Sequence, residues 1–155
     1  MPDTKPEWRR SEYTLSFDTG RLDVGAIHAY LSLSYWAEGI PIEVVRRSIP
    51  ASLCVGVYHE SDGQVAFARV ITDRATFAYL CDVYVLEAHR ERGLAKWMME
   101  AIVAHPDLQG LRRFMLVTRD AHELYRPFGF TEPANPNRYM EIARPGIYLK
   151  NAQSE

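Results

Sequence analysis

The sequence of 155 residues contains little cysteine and no long hydrophobic run. Its two cysteines, Cys54 and Cys81, are far apart along the chain, and each lies among apolar residues. We interpret them as reduced core residues rather than as a disulfide or a metal-binding pair, and we expect no metal site. No apolar run approaches the roughly 20 residues needed to span a bilayer, so the sequence predicts no membrane association.

The chain also lacks an excess of either charge. It has 18 Lys and Arg residues against 20 Asp and Glu residues, which gives a formal net charge of -2 at pH 7. A protein that binds nucleic acid usually presents a strongly basic surface, so we expect no nucleic-acid partner. The N-terminal residues MPDTKPEWRR lack the apolar centre of a signal peptide, which predicts a cytoplasmic location.

Two common nucleotide-binding motifs are missing as well. The sequence has no G-x-x-x-x-G-K-[ST] and no G-x-G-x-x-G after a strand, which excludes a Walker A site and a dinucleotide-binding fingerprint. No internal repeat, low-complexity block or linker interrupts the chain. We therefore predict a single domain over residues 1–155, with a core at about 13–142 and a tail at 143–155.

The hydrophobic pattern that is present changes period along the chain. It predicts the order β-α-α-β-β-β-α-β-α-β, an α/β domain whose mixed, largely antiparallel central sheet is flanked by helices and contains one strand–helix–strand crossover. The predicted strands are YTLSFD (13–18), LCVGVYHE (53–60), QVAFARVIT (64–72), TFAYLCDVYVL (76–86), RRFMLVT (112–118) and RYMEI (138–142). The predicted helices cover about 22–34, 41–49, 94–105 and 120–128.

The segment HRERGLAKW (89–97) joins the apolar strand 76–86 to the helix that begins at Leu94. Free N–H groups at a helix N-terminus attract anions, and the helix dipole adds to this attraction. Gly93 would let the backbone approach an oxygen that a side chain would block, and Arg90 and Arg92 add two cations. The spacing alone leaves two interpretations open: a phosphate-binding loop or a solvated charged turn.

Two stretches carry a family resemblance. VYVLEAHRERGLAKWMMEAI (83–102) resembles the coenzyme A-binding segment of the GNAT (GCN5-related) N-acetyltransferases, whose loop follows [RQ]-x-x-G-x-[GA] and corresponds to residues 90–95. HELYRPFGF (122–130) resembles a second sequence motif of the family, in which a leucine–tyrosine pair is followed by glycine–phenylalanine. The order of elements is also similar from about residue 13 to residue 142. The resemblance favours the phosphate-binding interpretation.

The resemblance implies that acetyl-CoA is the co-substrate. Its pyrophosphate would lie over the loop amides of residues 91–96, and its pantetheine arm would lie along the strand before the loop like an extra strand. A backbone N–H near Val83 would face the thioester carbonyl and stabilise the oxyanion. Where the family often has an asparagine that contacts the cofactor arm, this sequence has Asp120. The implied cofactor-binding residues are Val83, Tyr84, Val85, Arg90, Glu91, Arg92, Gly93, Leu94, Ala95, Lys96 and Asp120.

The resemblance further implies that a primary amine attacks acetyl-CoA directly in a ternary complex. Tyr125 is the expected general acid for the departing thiolate, since ordinary tyrosine and thiol pKa values are about 10 and 8.5. Tyr125 packing a helix on the sheet is the alternative. Asp82 is an acid within an apolar strand, and the alternation of strand side chains predicts that it shares a face of the sheet with Leu80 and Tyr84. We expect it to act as the general base, as an anchor for the substrate ammonium, or as a structural hydrogen-bond acceptor.

The segment YWAEGI (35–40) lies where the first two helices of the family usually wall the acceptor pocket. Tyr35, Trp36 and Glu38 are therefore expected substrate contacts, with aromatic core packing as the alternative. His28 falls on the apolar stripe of the first helix and is expected to be a core histidine. His89 flanks an element and is expected to be solvated.

The sequence does not identify the acceptor, because acceptor pockets are formed by variable loops on a shared frame. A small-molecule amine and a peptide or protein amine are both compatible, and the acyl group could be acetyl or longer. A homodimer formed through the tail after Arg144 is one option for the assembly. A non-catalytic module that binds or senses acyl-CoA is the alternative function.

Overall fold

A six-stranded sheet is the centre of the computed structural model, which describes residues 7–149. The strands lie side by side in chain order; all neighbours are antiparallel except the last pair, which is parallel. This confirms the predicted mixed, largely antiparallel sheet flanked by helices. The strands are β1 (Glu7–Arg10), β2 (Tyr13–Ser16), β3 (Ser52–His59), β4 (Gly63–Thr72), β5 (Phe77–Val85) and β6 (Arg113–Leu116). The helices are α1 (Val24–Leu31), α2 (Ile42–Ser48), α3 (Leu94–Val103) and α4 (His122–Tyr125).

Each face of the sheet has its own hydrophobic core. On one face, α3 contributes five buried residues, and its neighbours include Ala68 and Val70 of β4. On the other face, α1 and α2 pack against Phe67 of β4 and Tyr84 of β5. Successive residues of a strand point to opposite faces, so β4 contributes to both cores. The sheet is thus covered on both sides, and the helix predicted to begin at Leu94 is confirmed.

An irregularity in β5 determines which way its functional residues point. Phe67 pairs with Tyr84 and Arg69 with Cys81, so two steps along β4 match three along β5. Asp82, which lies in this bulge, has a φ of 56°, in the left-handed region. A bulge shifts the side-chain alternation by one residue, so Leu80 and Tyr84 pack in different cores. Asp82 therefore cannot share a face of the sheet with both Leu80 and Tyr84, and that prediction is wrong.

Two further differences lie near the ends of the described chain. Residues 138–142, predicted as the last strand, form no strand, and Met140 and Ile142 are exposed, so no burial supports the expected alternation. The sequence pattern also missed β1, because all four of its residues are exposed and show no alternation. Of the predicted tail, residues 144–148 line a cavity together with residues 35–38, whereas 150–155 lie outside the described residues. No helix among residues 7–149 is long and apolar enough to cross a membrane.

Candidate active site

A cavity opens where β5 and β6 separate. The two parallel strands pair only through residues 77–80 and 113–116. β5 continues to Val85, whereas β6 ends at Leu116, and a space of about 430 Å³ lies between residues 81–83 and 117–121. Among the described residues, no strand pairs with this edge of β5 beyond Leu80. The backbone there can accept an extended ligand as an additional strand.

Helix α4 brings Tyr125 to this cavity. Pro127 and Gly129 follow α4 in a tight turn, and the φ of 99° at Gly129 lets the chain reverse so that Phe130 packs edge-on against Tyr125. Tyr125 is only 7% exposed, and burial, the largest cause, raises the pKa of its phenol to about 12. The phenol is therefore protonated at neutral pH. Its hydroxyl has no hydrogen-bond partner within residues 7–149.

Asp82 is held by groups from two other elements. Its Oδ2 accepts a hydrogen bond from Arg69 Nε at 2.8 Å, and its Oδ1 accepts one from Trp36 Nε1 at 3.0 Å. Arg69 also donates from Nη1 to Ser52 Oγ at 3.1 Å. The side chains of Arg69 and Asp82 are 16% and 12% exposed, so the ion pair is largely removed from solvent. The arrangement fixes the Asp82 carboxyl group at the cavity wall.

Aromatic residues form the outer wall of the cavity. Tyr35 and Trp36 both line it, and the Arg119 guanidinium lies 3.9 Å from the centre of the Tyr35 ring. His28 Nε2 lies 3.0 Å from the Ile40 carbonyl, so the histidine is partnered, but it is only half-buried and is not the core histidine expected. The structure thus brings Tyr35 and Trp36 together with Asp82.

Glu38, the third expected substrate contact, does not line this cavity. It lines a neighbouring space of about 240 Å³ that residues 144–148 close from the other side. Asp120 does line the main cavity, where it is exposed and lies 3.7 Å from Arg119 Nε.

The segment 90–96 has the backbone geometry of an anion-binding loop. Glu91 and Gly93 have φ values of 63° and 74°, both in the left-handed region. The first intrahelical hydrogen bond of α3 runs from Trp97 N to Gly93 O, and the N–H groups of residues 91–96 have no acceptor within the described chain. A Cβ at Gly93 would meet nothing within 4 Å, so the loop is open to a ligand. Converging free amides of this kind bind phosphate.

The two loop arginines have partners in the protein. Arg90 donates from Nε to the Val85 carbonyl at 3.0 Å and from Nη2 to Tyr30 Oη at 3.2 Å. Arg92 donates from Nη1 to Tyr13 Oη at 3.0 Å. These contacts tie the loop to the end of β5, to α1 and to β2. The guanidinium groups therefore hold the loop in place in addition to making it positive.

The side chains near the end of β5 are engaged in packing. Tyr84 is buried and stacked on Tyr30, with ring centres 4.0 Å apart. Val83 and Val85 pack on the core that contains α3. Tyr84 can therefore offer a ligand little besides its backbone, whereas Val83 and Val85 are half-buried and Val83 also lines the cavity.

Several residues of the site were missed in the sequence. Arg69 gave a signal, a charge within the apolar run QVAFARVIT, but its partner could not be read from the pattern. Tyr79 and Arg119 also line the cavity. The expectation that His89 is solvated is wrong: it is 5% exposed, because it packs beneath the loop against Tyr13.

Cys81 lines the cavity as well, and both cysteines are free. Burial raises the pKa of each thiol to about 12, which keeps them protonated and poorly nucleophilic. No cluster of three or more metal-ligating side chains occurs in residues 7–149.

Comparisons with known proteins agree with this geometry. The Acetyltransferase (GNAT) domain profile matches residues 51–132, which contain the loop 90–96, Asp82 and Tyr125. A Gibberella zeae protein assigned as an acetyltransferase is 37% identical in an alignment 145 residues long, and the match covers 79% of this chain and 81% of that protein.

Solved structures show the same relationship. A Xanthomonas campestris pv. campestris protein assigned to the GNAT acetyltransferases is 53% identical with a TM-score of 0.86, over 89% of this chain and 97% of that one. A Clostridium acetobutylicum acetyltransferase solved with acetyl-CoA shares the fold at 16% identity and a TM-score of 0.61, over 84% of this chain and 94% of that one. The chain therefore belongs to the GNAT family and is an N-acetyltransferase.

Proposed function

We propose that this enzyme transfers the acetyl group of acetyl-CoA to a primary amine by direct attack, with both substrates bound at the β5–β6 cavity. One observation carries the proposal: Tyr125, Asp82 and the unpaired edge of β5 line the same cavity. The anion-binding loop 90–96 follows the end of that strand. A single extended molecule with a phosphate group at one end and a thioester at the other fits this continuous path.

The donor is held mainly by backbone groups. The free N–H groups of residues 91–96 bind the pyrophosphate, and the free edge of β5 pairs with the amides of the pantetheine arm. When bound, acetyl-CoA supplies an activated carbonyl. The N–H of Val83 is the group we assign to stabilise the negative charge that develops on its oxygen.

The acceptor amine arrives as an ammonium ion. With a lysine-like pKa near 10.4, loss of its proton at pH 7 costs about 4.6 kcal/mol. We assign Asp82 as the anchor for this ammonium, since each of its oxygens accepts one hydrogen bond and retains a further lone pair. The face of Trp36 favours a cation beside it, whereas the Tyr35 ring already lies against the Arg119 guanidinium. The proton then leaves through water, and the neutral amine attacks.

Tyr125 acts on the leaving group. Transfer of a proton from a phenol with a pKa of about 12 to a thiolate whose conjugate pKa is about 8.5 costs about 5 kcal/mol if it is complete. We therefore propose that the Tyr125 hydroxyl donates a hydrogen bond to the sulfur as the C–S bond breaks and the C–N bond forms. The amine nitrogen, which carries the extra proton after attack, is the net source of the proton on the released thiol.

Incubation with acetyl-CoA and a panel of amines, with release of free thiol as the readout, tests the proposal. The panel contains polyamines, amino-acid derivatives, aminoglycosides, and peptides with a free N-terminus or a lysine. We expect at least one class to release thiol in proportion to amine. Tight binding of coenzyme A without amine-dependent release by any class would contradict the proposal and favour a sensor.

A further inference from the structure

A chain of hydrogen bonds runs beneath the loop 90–96 and ends on it. Asp62 Oδ2 lies 2.8 Å from His89 Nε2, and His89 Nδ1 lies 2.7 Å from Tyr13 Oη. Tyr13 Oη accepts from Arg92 Nη1 at 3.0 Å. We call these four residues, Asp62, His89, Tyr13 and Arg92, the His89 chain. His89 directly precedes the loop, so the chain connects the β3–β4 turn and β2 to the residue before Gly93.

The donors and acceptors of the His89 chain have a fixed direction. The Asp62 carboxylate can only accept, so His89 Nε2 carries a hydrogen. In the neutral ring Nδ1 is then an acceptor, and it receives the Tyr13 hydroxyl hydrogen. This leaves the Tyr13 oxygen as the acceptor for Arg92. His89 and Tyr13 are 5% and 6% exposed, so the bond between them is shielded from water, whereas the outer partners Asp62 and Arg92 have half-exposed side chains.

Protonation of His89 would reverse the middle bond. Nδ1 would become a donor to Tyr13, and the Tyr13 oxygen would face two cationic donors while its own hydrogen lost its acceptor. Other charged or titratable groups surround this point: His59, whose ring centre is 5.0 Å from that of His89, and Glu12, whose Oε1 is 3.5 Å from Arg92 Nη1. Asp62 and Glu12 favour the positive charge, whereas His59 and Arg92 oppose it when charged.

We propose that His89 is a positioning residue for the donor site: neutral His89 holds Arg92 through Tyr13 and keeps the loop in the conformation that binds coenzyme A. Affinity is highest with His89 neutral, because a protonated ring would donate to Tyr13 and disturb the bond to Arg92. This inference rests on the proposed binding of coenzyme A by the loop 90–96. Simple attraction between a charged His89 and the phosphates would instead raise the affinity for coenzyme A when the ring is protonated.

The test measures the Kd of coenzyme A calorimetrically at about pH 5.5 and about pH 7.5, a range across which only histidine among the common side chains ordinarily changes charge. The proteins compared are the wild type, His89→Gln, Tyr13→Phe and the control His105→Gln, which removes a histidine beyond the far end of α3. The phosphates of coenzyme A titrate equally in every sample, so the ratio between wild type and His89→Gln isolates the contribution of His89.

We expect Tyr13→Phe to raise the Kd about tenfold at the higher pH, as for loss of a hydrogen bond to a charged group, with kcat at saturating acetyl-CoA unchanged. We also expect the wild type to lose about fivefold more affinity on acidification than His89→Gln, a typical size for a coupled site. In an Arg92→Met background, Tyr13→Phe should add no further loss, because Arg92 acts through Tyr13.

The outcomes distinguish failure of the proposed function from failure of the proposed role of His89. If the wild type does not bind coenzyme A, the proposed function fails. If it binds and Tyr13→Phe binds equally well, or if the wild type gains affinity relative to His89→Gln on acidification, only the role of His89 is overturned. Should Tyr13→Phe prove misfolded by circular dichroism, the pH ratio of His89→Gln against wild type decides alone.

Discussion

The two sides of the β5–β6 cavity are constructed differently. The proposed donor side, formed by the free edge of β5 in the cavity and by the loop 90–96 that follows that strand, offers backbone groups from one continuous segment. The acceptor side offers side chains from distant segments: Trp36 and Asp82 are 46 residues apart, and Arg69 and Asp82 are 13 apart. Backbone recognition tolerates many side chains, whereas side-chain recognition is sensitive to each one. Variation in acceptor can therefore accompany a constant donor.

Tyr125 lies where the two sides meet, and its replacement should have the largest effect. Tyr125→Phe keeps the ring that packs on Phe130 and removes only the hydroxyl. We expect kcat to fall by about 10² or more, as for loss of one hydrogen-bond donor to a developing charge, with the Kd of coenzyme A changed less than about twofold. Steady-state kinetics and calorimetry measure the two quantities. A changed Kd with normal turnover would instead assign Tyr125 to the donor side.

A matched control is Tyr58→Phe. The Tyr58 hydroxyl is buried without a hydrogen-bond partner, so its removal should leave kcat unchanged and stability equal or higher. The pH profile adds a check, since the pKa of Tyr125 is raised to about 12 and its neutral form is fully present below that value. We expect no loss of rate up to about pH 10 from ionisation of this phenol.

The donor side could be predicted from the sequence because its signals are local. The apolar strand 76–86, Gly93 and the helix that begins at Leu94 follow one another directly along the chain. Their spacing alone predicts a loop at a helix N-terminus. The acceptor side depends on a bulge that reorients Asp82 and on an arginine from the neighbouring strand. Neither follows from the alternation of apolar residues, because a bulge changes the alternation without changing composition. The burial of His89 was missed because its partners, Tyr13 and Asp62, are distant in sequence.

Gly93→Val breaks the donor side alone. Its φ of 74° is unfavourable for a β-branched residue, although a Cβ there has free space. Strain of about 2 kcal/mol, or a loop rearranged to avoid it, should raise the Kd of coenzyme A roughly 30-fold. Gly110→Val is the control, with a φ of 71° and equal space at a position outside the cavity. Equal affinity of both variants for coenzyme A would contradict the phosphate-binding role of the loop.

Asp82→Asn breaks the acceptor side and keeps its backbone. Asn tolerates the left-handed conformation observed at this position, so the bulge should persist. If Asp82 anchors the ammonium, the KM for the amine should rise about tenfold through loss of a charged hydrogen bond, with kcat little changed. Asp107→Asn, which removes an exposed carboxylate paired with Arg74, is the control for the loss of a charge.

The opposite kinetic pattern would identify Asp82 as the general base. In that case kcat, rather than the KM for the amine, should fall. The loss should be greatest at low pH, where the amine is most fully protonated and depends most on a base. A KM effect that leaves the shape of the kcat profile unchanged would exclude the base. The same measurement therefore decides between the two roles.

Trp36→Phe should have the smallest effect and gives the finest test of the acceptor side. It removes the Nε1–H that Asp82 Oδ1 accepts at 3.0 Å and keeps an aromatic face. Trp36 is 40% exposed, so water can replace this bond, and we expect only about a threefold rise in the KM for the amine. Trp8→Phe, at a tryptophan that does not line the cavity, is the control. Because Trp36 acts through Asp82, Trp36→Phe should add little in an Asp82→Asn background; full additivity would mean that Trp36 contacts the amine on its own.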